Sequence, residues 1–153
     1  SSPSLNHLSI YGSGNTTFTN GMESNDDLEI CIYGSGNING TNFSCTKLST
    51  HIYGSGNINL KKIDVPCTEA NISGSGNVLL NGKSGKAEYR IAGSGDINAI
   101  DLKTEDVNAH ISGSGSIKCH ATENLTGGVS GSGSVAYKGN PQINFSKRGL
   151  RKL

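Results

Sequence analysis

The chain has 153 residues, a formal net charge of +1 and an apolar content of only 33%. The length suits one domain, and the balanced charge argues against nucleic acid as the main partner, because phosphate binding needs a basic face. No apolar run is long enough to cross a bilayer as a helix. Thin apolar content would suit disorder, but disorder goes with high net charge or a lack of periodicity, and this sequence is strongly periodic. It opens on Ser1-Ser2-Pro3 with no initiator Met or signal peptide, as expected of a processed secreted protein or a trimmed chain.

Taken in order, the chain repeats the unit seen in Ile32-Tyr33-Gly34-Ser35-Gly36-Asn37-Ile38. The first glycines of the units are Gly12, Gly34, Gly54, Gly74, Gly93, Gly113 and Gly131, separated by 22, 20, 20, 19, 20 and 18 residues. A fixed period in this range is the signature of a repeat architecture. Two residues before each first glycine stand Ile10, Ile32, Ile52, Ile72, Ile91, Ile111 and Val129. Four residues after it stand Thr16, Ile38, Ile58, Val78, Ile97, Ile117 and Val135. Further apolar columns fall at other even offsets. Apolar residues at every second position, many of them β-branched, predict strands with one buried face. Both glycines share that inward parity. Either they supply a left-handed corner or they leave out a side chain where the coil is pinched; in both cases Gly-Ser-Gly is a bend.

Between the units, the segment 20–27 is an acidic insertion. Ile63-Asp64-Val65-Pro66 and Ile100-Asp101-Leu102 predict a third short strand, and Asn81-Gly82-Lys83-Ser84-Gly85 predicts a turn. The segment 141–153 is a basic tail, either a cap over the last coil or a solvated end. The whole chain, 1–153, reads as one all-β parallel β-solenoid of about seven coils of ~20 residues. Of the four cysteines, Cys31, Cys45, Cys67 and Cys119, none has metal-knuckle spacing. Cys45 and Cys67 lie on adjacent repeats, so pairing between them is one open possibility.

The repeated Ile-x-Gly-Ser-Gly-Asn/Asp-Ile/Val, together with the closing run from Gly133 to Pro141, resembles the autotransporter-adhesin head domains known as head GIN domains. The likeness runs from about Leu8 to Pro141. It implies a right-handed parallel β-helix, a precursor with a signal peptide, and a place in the cell envelope or outside a Bacteroidetes-type bacterium. It offers no catalytic residue to carry over. Ser116 and Ser134 stand where the pattern has Asn or Asp, and Thr16 where it has Ile or Val; the first repeat reads as either a frayed or a capping coil.

The outward columns hold the candidate site. Tyr11, Tyr33 and Tyr53 precede successive first glycines and form an aromatic strip. Such a strip can shield the solenoid or pack under a loop, make an oligomer contact, or stack on a glycan or fit a protein. Asn37, Asn57, Asn77 and Asp96 form a second ladder, which either bonds along the stack or faces a regular ligand. No metal or other cofactor is expected: His7, His51, His110 and His120 are scattered, and zinc needs three or four convergent ligands. Catalysis would need clustered acids, for which only Asp101, Glu105, Asp106 and Glu123 present themselves. The expected function is a non-catalytic, secreted or cell-surface bacterial adhesin domain that binds an extracellular glycan or protein. The alternatives are an oligomerisation domain of the envelope and a carbohydrate-active β-helix enzyme.

Overall fold

A computed structural model describes residues 7–18, 22–23, 27–44, 46–145 and 150–152. The described chain is strand and corner throughout, without a helix. The early coils are built from separate strands: β1 (His7–Gly12), β2 (Asn15–Phe18), β3 (Met22–Glu23), β4 (Asp27–Gly34), β5 (Asn37–Ser44) and β6 (Lys47–Gly54). In the middle, one long strand per coil bends around successive faces: β7 (Asn57–Gly74), β8 (Asn77–Gly93), β9 (Asp96–Gly113) and β10 (Ser116–Ser130). The end is made of β11 (Ser134–Lys138), β12 (Gln142–Phe145) and β13 (Leu150–Lys152).

Every pairing between these strands is parallel and joins one coil to the next. Ile32 pairs with Ile52, Ile52 with Ile72, Ile72 with Ile91, and Ile91 with Ile111. The seven Gly-Ser-Gly corners bound about six complete turns of a β-solenoid. The expected seven coils counted corners, and the partial coils at the two ends account for the difference. β13 adds to the last coil through Val135 and Leu150, and Leu150 packs against the end of the core.

The core is a set of internal stacks. Ile32, Ile52, Ile72, Ile91 and Ile111 are 0–2% exposed, as are Ile38, Ile58, Val78, Ile97, Ile117 and Val135 on the facing column. Burial of apolar surface at roughly 25 cal/mol per Å² stabilises each coil only once its neighbours are stacked on it. Tyr89 lies wholly inside, in register between Ala70 and Ala109, whose small side chains leave room for the ring. Burial pushes the pKa of its hydroxyl up, against a smaller opposing effect of the neighbouring Thr104. Nearby buried hydroxyls are satisfied locally: Thr68 donates to Ser84 at 3.0 Å, Ser84 to the Lys86 carbonyl at 2.9 Å, and Thr104 to the Leu102 carbonyl at 3.0 Å.

The corners explain both readings of the glycines, one for each position. Gly54 has φ +132°, a conformation that side chains with a Cβ rarely adopt. Gly56 has no such requirement; a Cβ there would stand 2.6 Å from Ile32 Cγ2. The first glycine turns the chain and the second lets the coils close onto the Ile stack. The serine between them continues the ladder through the bend, as Ser55 N–H donates to the Gly34 carbonyl at 3.0 Å.

One expectation is corrected. Asn81–Gly85 is not a turn but part of β8, where Asn81 pairs with Asp101, Gly82 with Ile63 and Ser84 with Val65. The glycine that suggested a turn makes a corner within the strand. Gly82 has φ +137°, and a Cβ there would run into the Ile63 backbone. Within the acidic insertion, Met22–Glu23 pairs with Phe43 and Ser44. Cys67 is a free thiol, whereas Cys45 lies outside the described residues.

Candidate functional site

Parity sends every second side chain out of the coil, and register then stacks these outward residues into columns. In the column just before the corner glycine, Tyr11, Tyr33, Tyr53, Ser73, Ala92 and Ser112 are successive partners. The tyrosine rings stack: Tyr11 on Tyr33 with centroids 4.9 Å apart and 6° between planes, Tyr33 on Tyr53 at 5.0 Å and 8°. This spacing is that of neighbouring parallel strands, so the fold itself sets the stack. Both faces of Tyr33 are taken by tyrosines and it is 38% exposed, against 75% for Tyr11 and 46% for Tyr53. The ladder stops at Tyr53, because Ser73 follows it.

That step opens a groove of about 900 Å³ along the solenoid. Tyr53 stands at one end, Ser73, Ala92 and Ser112 run along it, and Arg90 and His110 border it. The bordering column two residues earlier is His51, Asn71, Arg90 and His110, again in direct register. His51 lies parallel to Tyr53 with centroids 6.3 Å apart. Arg90 Nε donates to Glu88 Oε1 at 2.7 Å. Glu69 pairs with Lys47 at 3.2 Å and accepts from Asn71 Nδ2 at 2.9 Å. Burial alone would raise the Glu69 carboxyl, but the Asn71 and Lys47 hydrogen bonds outweigh it and hold the pKa below the usual value.

Cys31 belongs to the same outward column as His51 yet is 2% exposed. Burial and a bond from its Sγ to Glu29 Oε1 at 3.3 Å push its thiol up to about 11, so it is a poor nucleophile. Cys119 lies in the core, and burial pushes its thiol up to about 12.

The asparagine column behaves differently. Asn37 Nδ2 donates to Asn15 Oδ1 at 2.9 Å, Asn57 to Asn37 at 3.0 Å, and Asn77 to Asn57 at 3.0 Å. Asp96 has no amide to donate and instead accepts from Ser116 Oγ at 2.8 Å and Ser116 N–H at 3.2 Å. The candidates Asn37, Asn57, Asn77 and Asp96 are therefore exposed or partly exposed, the three asparagines bonded to one another and Asp96 to Ser116. They lie on a different face from Tyr11, Tyr33 and Tyr53.

Sequence reasoning placed the tyrosine strip but missed the groove. The signal lay in the same column, in the change from Tyr53 to Ser73, Ala92 and Ser112. Arg90 and His110 carried no motif; only alignment of the neighbouring outward column brings them beside Tyr53. Among the described residues no three His, Cys, Asp or Glu side chains converge to hold a metal ion. Asp101, Glu105 and Glu123 are exposed, and Asp106 accepts from Asn124 Nδ2 at 2.6 Å.

Comparison with known proteins places this geometry. The family described as "putative auto-transporter adhesin, head GIN domain" matches residues 1–141. No curated protein sequence matches. A crystal structure from Parabacteroides distasonis titled a putative lipid binding protein is 31% identical, with a TM-score of 0.86 over 97% of this chain and 62% of its own. A second from the same species, titled a putative adhesin, is 25% identical with a TM-score of 0.90, covering 97% of this chain and 64% of its own. The chain thus spans less than two thirds of each of these two proteins. A Bacteroides fragilis structure titled a putative adhesin, 21% identical with a TM-score of 0.79 over 99% of this chain and 93% of its own, shares the fold.

Proposed function

The chain belongs to the auto-transporter adhesin head GIN domain family, and from that premise we propose that it is a non-catalytic binding domain of a bacterial surface or secreted protein. Its ligand is an extracellular glycan or protein, held on the face of Tyr11, Tyr33 and Tyr53. The observation that carries this reading is the interrupted tyrosine ladder, which ends beside the groove at Tyr53. Rigid aromatic rings supply contact area at small entropic cost, and a solenoid holds them at fixed spacing. The adhesin title of one Parabacteroides neighbour agrees with it.

The test is solid-phase binding to immobilised glycans and extracellular proteins, comparing wild type with a Tyr33→Ala/Tyr53→Ala double variant. The reading expects a wild-type signal that the variant loses while its strand circular dichroism is kept. An equal signal from both would overturn it. Tyr11, 75% exposed at the first coil, supports a second reading in which the strip joins two copies of the chain. Light scattering would then show a dimer that Tyr11→Ala dissociates, and a monomer at high concentration would end that reading.

A further inference from the structure

The groove beside Tyr53 differs in charge from the tyrosine ladder. Each acidic group at its border is already engaged, Glu69 by Lys47 and Asn71, Glu88 by Arg90. Arg90 pairs with Glu88 through Nε, and its side chain is 61% exposed. A guanidinium is a planar set of five N–H donors, so one contact through Nε leaves donors over on this exposed side chain. Such a fork matches a carboxylate or sulfate in two parallel hydrogen bonds. His110 is its register partner on the next coil, a second donor one strand spacing away. Tyr53 lies two coils in the other direction, about 10 Å away along the solenoid axis by strand spacing and two residues to the side. Between them Ser73 and Ala92 keep the floor low.

We infer that this groove takes an acidic saccharide, one sugar ring against the face of Tyr53 that no other tyrosine covers and the carboxylate or sulfate of a following sugar on Arg90 and His110. The inference rests on the adhesin reading above and narrows its ligand to anionic glycans. An anionic lipid surface fits less well, because membrane attraction is built from several clustered cations and this groove carries one arginine.

Isothermal titration against oligogalacturonate, a hyaluronan hexasaccharide and a heparin hexasaccharide tests it, with methyl-esterified oligogalacturonate as the uncharged match. At least one acidic saccharide is expected to bind, and the ester at least tenfold more weakly wherever oligogalacturonate is the ligand. Arg90→Gln and Tyr53→Ser are each expected to weaken binding tenfold or more, and Lys118→Gln, on the asparagine face, to change it less than twofold. Both groove positions are solvent-facing, and a thermal melt within two degrees of wild type verifies that each variant folds. If neutral sugars bind as well as acidic ones and Arg90→Gln is silent while Tyr53→Ser is not, the anionic inference falls and the glycan reading stands. If no saccharide binds and the domain binds an immobilised protein or phosphatidylglycerol vesicles instead, the anionic-glycan inference falls.

Discussion

Two outward ladders run along this solenoid, and they differ in what they leave unused. In the asparagine ladder each amide from Asn37 to Asn77 donates to the coil before it at 2.9–3.0 Å, and Asp96 beyond them accepts from Ser116. The tyrosine ladder is also stacked, but it ends after three rings and leaves one face of Tyr53 beside a groove. Regular repetition spends side-chain capacity on neighbouring coils. An interruption in the repetition releases it for something else. The binding site is therefore expected where the repeat breaks its pattern, not where it keeps it.

Breaking the scaffold under both ladders should have the largest effect. Ile72 is 2% exposed within the Ile stack, so Ile72→Asp buries a charge at a cost of several kcal/mol, comparable with the whole stability of a small domain. Strand circular dichroism and the cooperative melt should both be lost; an undiminished melt would contradict the inward column. Gly56→Val comes next. Its side chain would meet Ile32 Cγ2 and the preceding corner, an overpacking worth about 2–3 kcal/mol, measured as a lowered urea midpoint.

Smaller effects separate the ladders. Asn57 both donates to Asn37 and accepts from Asn77. Asn57→Ala should cost about 1 kcal/mol of stability by chemical denaturation. Tyr53→Ser extends the Ser73 pattern by one coil and removes one exposed stacking contact, worth about 0.5 kcal/mol. The smallest effect comes from pH. His120 is in register between Lys103 and Lys138, and burial, then those two cations, lower its pKa. Its folded pKa lies below the unfolded value near 6.5, so the unfolded chain binds the proton first on acidification. Stability is full above about pH 6.5 and falls as pH drops through the folded pKa. His120→Gln should flatten that slope in melts between pH 7 and 5; an unchanged slope would assign it to other groups.

The sequence made the architecture legible because a solenoid repeats its own evidence. The unbroken Ile10-to-Val129 column and the even offsets mark strand, inward face and corner. The same repetition hid local exceptions. Gly82 looked like a turn residue because glycine signals bends generally, and only the pairing of Asn81 with Asp101 shows a strand passing through a corner. Thr68 occupies a column of Leu28, Leu48 and Ala87, and its burial depends on Ser84, sixteen residues away. For the site, parity alone placed Tyr11, Tyr33 and Tyr53 outside. Parity does not show how far Arg90 extends or that Glu88 fixes it, because those depend on side-chain geometry between neighbours. Nor does it distinguish a ladder that satisfies itself from one with a free end.

The central claim, that the broken ladder binds and the closed one holds, is tested most directly by measuring two properties on one pair of variants. Melting and binding of the best glycan or protein ligand should be recorded for Tyr53→Ser and Asn57→Ala against wild type. The account predicts a crossover: Tyr53→Ser keeps its melting temperature and loses binding, whereas Asn57→Ala melts earlier and binds as wild type. Retained binding in Tyr53→Ser together with lost binding in Asn57→Ala would contradict it and move the site to the asparagine face.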